Sequence, residues 1–217
     1  MSLDIEFKPF TTGGRTHPLQ PPNVMLFAGP TGSGKTSTAL HVLEAINEEN
    51  DDLKEVHFVT GNRKDKLLKI LGEDVNIMSD PAEVANLIAM IKLEGRGASP
   101  HRVIMIDDCA AFKRMFNSEW FFDFVINHRH HNVQILMTCQ GYHQINKQVR
   151  GQANLIFLYP TRNAKQRKDI IEEMPIDVVK MNSALNLIER GEKRSFLMIN
   201  LQNAVFPQMF HNFNVPL

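Results

Sequence analysis

The stretch Val24-Met25-Leu26-Phe27-Ala28-Gly29-Pro30-Thr31-Gly32-Ser33-Gly34-Lys35-Thr36 decides the fold. Its apolar opening reads as a buried strand, and the Ser37-Thr38-Ala39-Leu40-His41-Val42-Leu43 behind it reads as a helix. Between them lies the G-x-x-x-x-G-K-[ST] spacing of a phosphate cradle. Glycines at 29, 32 and 34 let the backbone take conformations closed to residues with a Cβ, so several N–H groups can converge on one anion. The helix N-terminus adds its positive end. Lys35 is spaced to reach the β- and γ-phosphates, and the Thr36 hydroxyl to sit on Mg²⁺. Gly29, Pro30, Thr31, Gly32, Ser33, Gly34, Lys35, Thr36 and Ser37 are therefore the expected nucleotide-binding residues.

Outward from this loop the chain alternates strands and helices. Strand Glu55–Thr60, a helix from Arg63 to Leu71, a short strand Val75–Met78 and a helix carrying Val84, Leu87, Ile88 and Ile91 precede the break at 95–100. Arg102-Val103-Ile104-Met105-Ile106-Asp107-Asp108 is an apolar run ending in acids, the pattern of a strand buried on both faces. An aromatic-rich helical region spans Ala110–Asn127. Strands follow at Val133–Thr138, running on to Gln140, and at Ala153–Tyr159, then helices at 163–173 and 175–190 and a late strand Arg194–Asn200. This alternation predicts an α/β domain with a mostly parallel sheet covered on both faces, its ligand site at the carboxyl ends of the strands. Residues 1–22, with Pro18, Pro21 and Pro22, read as an irregular lead-in, and 23–217 as one phosphate-loop domain.

Gly29, Asp107 and Gln140 each fall just past a strand's carboxyl end. Asp107 fits the acid that partners Thr36 around Mg²⁺, so Thr36 and Asp107 are the expected metal residues. Asp108 is the candidate general base, and Gln140 a candidate sensor of the γ-phosphate or the attacking water. An arginine is needed for charge developing in phosphoryl transfer. Arg129 and Arg150, flanking the Gln140 strand, are both candidates. Lys35, Asp107, Asp108, Gln140, Arg129 and Arg150 make up the expected catalytic set, acting on a nucleoside triphosphate with Mg²⁺.

Composition bounds the rest. The 217 residues hold 43% hydrophobic and 22% charged residues, as a globular domain does. No uncharged apolar run approaches the ~18 residues that a membrane span needs. The acidic start Met1-Ser2-Leu3-Asp4-Ile5-Glu6 lacks a signal core, so secretion is not expected. Cys109 and Cys139 make no disulfide framework and read as small buried thiols. Lys plus Arg equals Asp plus Glu at 24 each, but no acid occurs between Phe124 and Lys168. A local basic segment of this kind can contact nucleic acid. Within it, loop 141–152 contributes His143, Lys147 and Arg150, which could touch duplex phosphates if the loop faces a channel and would otherwise be a plain solvent loop.

The phosphate loop, Ile104-Met105-Ile106-Asp107-Asp108 and Arg129-His130-His131-Asn132-Val133-Gln134-Ile135-Leu136-Met137-Thr138-Cys139-Gln140 together resemble the FtsK–HerA superfamily. Within it the chain is most similar to the genome-packaging ATPases of large DNA viruses, the poxvirus type and its relatives. The resemblance covers about residues 22 to 170. It implies a RecA-like fold with an additional strand, and a ring of five or six copies that hydrolyses ATP to thread double-stranded DNA into a preformed capsid. It further implies docking on a capsid vertex or portal-site protein, in the virion or in the host cytoplasm or nucleus. The family's sensor glutamine falls on Gln140 and its arginine finger on Arg129. Many relatives carry Asp-Glu where this chain has Asp107-Asp108. Two other readings share the loop: a small-molecule or nucleotide kinase with Arg162, Lys165, Arg167 and Lys168 as a lid, and a nucleotide-switched binding module.

Overall fold

A computed structural model describes residues 22–49, 53–61, 75–95, 100–192, 194–202, 207–212 and 215–216. Nearly all of the expected lead-in, and the whole of the expected helix Arg63–Leu71, lie outside the described residues. The strands are β1 (Val24–Ala28), β2 (Leu53–Thr60), β3 (Val75–Met78), β4 (His101–Asp107), β5 (Val133–Cys139), β6 (Leu155–Leu158), β7 (Leu197–Asn200), β8 (Gln208–His211) and β9 (Val215–Pro216). They form one sheet in the order β3-β2-β4-β5-β1-β6-β7-β8-β9. From β3 to β6 the pairing is parallel, and β7, β8 and β9 add on antiparallel. The expected mostly parallel α/β architecture is the observed one. β5 is inserted between the phosphate-loop strand β1 and the acidic strand β4, which is the additional strand.

Side-chain alternation divides the apolar residues between the two faces of the sheet. In β1, Val24, Leu26 and Ala28 point into one core layer, and Met25 and Phe27 into the other. The second layer is covered by α1 (Lys35–Glu49) through Ala39, Val42, Leu43 and Ile46. Across the β1–β6 pairing, Phe27 stacks on Phe157 with ring centroids 4.3 Å apart. The first layer takes α2 (Pro81–Leu93), α3 (Lys113–Phe116), α4 (Glu119–Asn127), α6 (Ala164–Glu173) and α7 (Val178–Arg190). Parallel strands buried on both faces explain why β1, β4 and β5 read as unbroken apolar runs rather than alternating ones.

Local signals set the helix ends. Asp80 caps α2 by accepting from the Ala82 N–H at 2.9 Å, while Glu83 accepts from the Asp80 N–H at 3.2 Å. Asp177 accepts from the N–H groups of Val179 and Lys180, so α7 begins at Val178 rather than at the expected 175. Pro175 keeps Met174 extended and separates the two helices. The aromatic region also breaks up, into a short 3₁₀ turn at Cys109–Phe112, then α3 and α4. At the other end of β4, buried Arg102 is neutralised by Glu55 (Nε–Oε2 2.7 Å) and Glu94 (Nη1–Oε2 2.6 Å).

Candidate active site

The carboxyl ends of β1, β4 and β5 bring Lys35, Thr36, Asp107, Asp108 and Gln140 to one rim. Gly32 (φ 77°) and Gly34 (φ 101°) take left-handed backbone that side chains disfavour, giving the loop its curl. Gly29 answers a different need. A Cβ there would collide with the Cβ of Tyr159, whose ring closes the back of the loop. The Tyr159 hydroxyl donates to Thr38 Oγ1 on α1 at 2.6 Å, tying β6 to the first turns of the helix. The Gly29 N–H donates to the Cys139 carbonyl at 3.1 Å, tying the loop to β5.

Asp107 is the hub. Thr36 Oγ1 donates to its Oδ1 at 2.8 Å, and Thr138 Oγ1 to the same oxygen at 2.7 Å. Thr138 also accepts from the Asp108 N–H at 3.0 Å. One buried hydroxyl on β5 therefore fixes both acids at once. Asp108 sits in the left-handed region (φ 52°, ψ 67°), where aspartate is tolerated better than most residues. Gln140 reaches it, with Nε2 3.4 Å from Asp108 Oδ1. Lys35 is almost fully buried, and its Nζ donates to the Pro30 carbonyl at 2.8 Å. Burial lowers its pKa, while the carboxylates of Asp107 and Asp108 act to raise it.

These residues fit a magnesium-bound nucleoside triphosphate. Ser33 Oγ is buried in the loop without a hydrogen-bond partner, as expected of a donor placed for an absent phosphate. The Thr36 hydroxyl and Asp107 lie together as a pair of oxygen donors that would hold a divalent ion beside the cradle. The thiols contribute no chemistry: both are buried and free, and burial pushes Cys139 up to about 12 and Cys109 well above its ordinary value.

The two arginines lie elsewhere. Arg129 is exposed at the amino end of β5, one strand length from Gln140, about 23 Å for seven residues. Arg150 lies at the carboxyl end of α5 (Lys147–Arg150) with its guanidinium committed. It donates to Glu173 (Nε–Oε2 2.7 Å) and to the Ile145 carbonyl (Nη1–O 2.6 Å), and stands 5.0 Å over the Tyr142 ring. Arg129 and Arg150 line one cavity of about 590 Å³ with Lys147 and Glu173. The segment 141–152 is not a plain loop. It contains a 3₁₀ turn at Tyr142–Gln144 and α5, and it buries Tyr142, Ile145 and Val149. His143 and Lys147 remain exposed. Arg167, one of the expected lid residues, is instead held against α7 by Glu189, Asn182 and Asn186.

Three residues of this rim carry no signal in the motifs. Thr138 is hidden inside an apolar strand, although its two-residue spacing from Gln140 places both on one face. Tyr159 becomes legible only once β6 is known to flank β1. Arg194 lies against Gly34 and arrives from the antiparallel edge.

No curated protein matches the chain in sequence. Among solved structures, the genome-packaging NTPase B204 of Sulfolobus turreted icosahedral virus 2, in complex with ATP-gammaS, superposes with a TM-score of 0.65 at 14% identity. The match covers 88% of this chain and 97% of that one. The DNA-packaging ATPase B204 of Sulfolobus turreted icosahedral virus gives 0.67 at 16% identity, covering 87% and 97%. The pCW3 conjugation coupling protein TcpA gives 0.59 at 12% identity, covering 83% of this chain and 58% of that one. These likenesses establish a shared P-loop ATPase fold. The family model described as Zonular occludens toxin (Zot) matches residues 23–172, from the strand before the phosphate loop to the end of α6. The chain belongs to the Zot family, P-loop ATPases of the FtsK–HerA type.

Proposed function

We propose that this protein is an ATP-hydrolysing motor that translocates double-stranded DNA and packages a genome into a preformed capsid. The observation that carries the reading is the convergence on one rim of Lys35 with Thr36, Asp107, Asp108 and Gln140, the last four joined by hydrogen bonds through Thr138. A cradle alone binds nucleotide. A cradle beside two carboxylates and a glutamine can also activate water.

In this reading Lys35 exchanges the Pro30 carbonyl for phosphate oxygens, and Thr36 and Asp107 hold Mg²⁺. Bound Mg²⁺ neutralises charge on the phosphates and orients them. Asp108 takes a proton from a water aligned by Gln140. The water oxygen bonds to the γ-phosphorus as the bond to the β,γ-bridging oxygen breaks, and the Asp108 proton then passes to solvent. Arg129 has no route to this rim within its own chain. It acts on a neighbour's site in a ring of copies, which makes assembly a condition for full activity. Exposed His143 and Lys147 contact the duplex backbone without reading bases, while Arg150 supports them from within. Capsid docking, and action in the virion or the host cell during assembly, rest on the likeness to the packaging NTPases.

The test is the rate of ATP hydrolysis with and without duplex DNA. Stimulation by duplexes of unrelated sequence, weakening as salt rises, supports the motor. A rate indifferent to duplex of any length, with no binding at low salt, contradicts it.

A further inference from the structure

Arg194 combines three features that no structural role explains. Its backbone lies in the left-handed region at φ 78°, which costs a residue with a Cβ and which glycine would adopt freely. Its stem runs along the phosphate loop: Cδ, Cγ and Cβ lie 3.5, 3.6 and 3.7 Å from where a Cβ on Gly34 would stand. Among the described residues its guanidinium makes no ion pair or hydrogen bond, although it is one of the longest donors on the molecule. An exposed cation held beside an anion cradle, at a backbone cost, has the character of a ligand contact.

Its seat is rigid. The Ser195 N–H donates to the Glu192 carbonyl at 3.0 Å, closing the turn that carries Arg194. The Phe196 N–H donates to Asn212 Oδ1 at 2.8 Å, and the Asn212 N–H returns to the Phe196 carbonyl at 3.1 Å. The Phe196 ring lies 5.4 Å from that of Tyr159, the residue that walls Gly29. Packing therefore runs unbroken from the turn to the cradle.

Strand order fixes which end of the nucleotide the arginine meets. From β1, the acids of β4 lie two strands to one side, beyond β5. Arg194, just ahead of β7, lies two strands to the other side, beyond β6. The γ-phosphate and metal belong with the acids. We infer that Arg194 binds the nucleotide from the opposite flank, its guanidinium on the α- and β-phosphates at the nucleoside end. The antiparallel edge of the sheet thus completes the site with a cation from the same chain. Arg194 would serve affinity for di- and triphosphates alike, a role distinct from that of a finger acting on the γ-phosphate.

This inference rests on the nucleotide-site reading above, and the experiment separates the two. Equilibrium binding of fluorescent ADP and ATP, with Mg²⁺, is measured for the wild type, Lys35→Ala, Arg194→Ala, Arg194→Lys and Arg194→Gly, together with unfolding temperatures of the ligand-free proteins. Arg194→Ala and Arg194→Gly should weaken ADP and ATP by the same factor, about tenfold or more, as loss of a charge-assisted contact does. Arg194→Lys should recover part of that loss. Arg194→Gly should unfold no earlier than the wild type because it relieves the left-handed strain, so weaker binding cannot be ascribed to a damaged fold. ADP and ATP binding unchanged in Arg194→Ala overturns the inference and leaves the site reading standing. So does a loss confined to ATP with ADP spared, which would move the contact to the γ-phosphate. Failure of the wild type to bind either nucleotide, with Lys35→Ala no different, overturns the site reading and the inference together.

Discussion

Asp108 and Thr138 show how little separates a nucleotide-binding rim from a hydrolytic one. Asp108→Asn keeps the shape and removes the base. Hydrolysis should fall about 100-fold or more while ATP affinity stays near the wild-type value, as measured by steady-state phosphate release beside equilibrium binding. Thr138→Val keeps the volume but strips the hydroxyl that donates to Asp107 and accepts from the Asp108 N–H. A half-buried N–H is then unpaired and both acids lose a restraint. The expected outcome is a lower rate and a higher Mg²⁺ requirement, read from Mg²⁺ titrations of the ATPase; equal titrations for the variant and the wild type would remove Thr138 from the machinery. The phosphate loop, the acids and Gln140 were legible because their chemistry demands fixed residue types at strand ends. Thr138 was not, since a threonine in a buried strand has many innocent explanations. Arg194 was still less so, because its approach to Gly34 depends on tertiary placement across the sheet rather than on spacing.

At the level of elements, charge along the sequence proved a poor guide to charge in space. The acid-free stretch from Phe124 to Lys168 suggested an uncompensated basic surface, yet Arg150 within it is paired with Glu173 from α6, just beyond the stretch. The Arg150 guanidinium holds the Glu173 carboxyl below its usual range. A depressed carboxylate stabilises the fold above its unfolded pKa, about 4.3, and that contribution is lost as pH falls through the folded value. Glu173→Gln should therefore be less stable than the wild type at neutral pH, with the gap closing under acid, as followed by denaturant midpoints across pH. A gap that persists at acid pH would mean that packing, not charge, is the cause. Strands β1 to β7 were readable from apolar runs bounded by turns. β8 and β9 were missed: one is four residues long and the other two, too short for alternation to stand out, and they are defined by pairing, β8 on the edge of β7 and β9 on that of β8. The start of α7 was misplaced because apolar periodicity ignores caps, and Asp177 is the cap.

On the scale of the whole molecule, Arg129 and the cradle lie at opposite ends of β5, so the finger role proposed for Arg129 requires a neighbouring copy. Mixing gives a direct check. Arg129→Ala and Asp108→Asn should each be nearly inactive alone, yet equimolar mixtures should regain hydrolysis, since a mixed interface pairs an intact base with an intact arginine. Mixtures no faster than the separate variants would place Arg129 outside the reaction. The fold follows from the phosphate-loop strand, the inserted β5 and the acidic β4. The motor reading adds that hydrolysis at this rim moves the chain along duplex DNA. Displacement of a third strand from a duplex tests that claim most directly. The wild-type protein should strip the third strand in an ATP-dependent manner, and Asp108→Asn should bind ATP but leave the triplex intact. Active hydrolysis and duplex binding with no displacement at any ATP concentration would contradict the account.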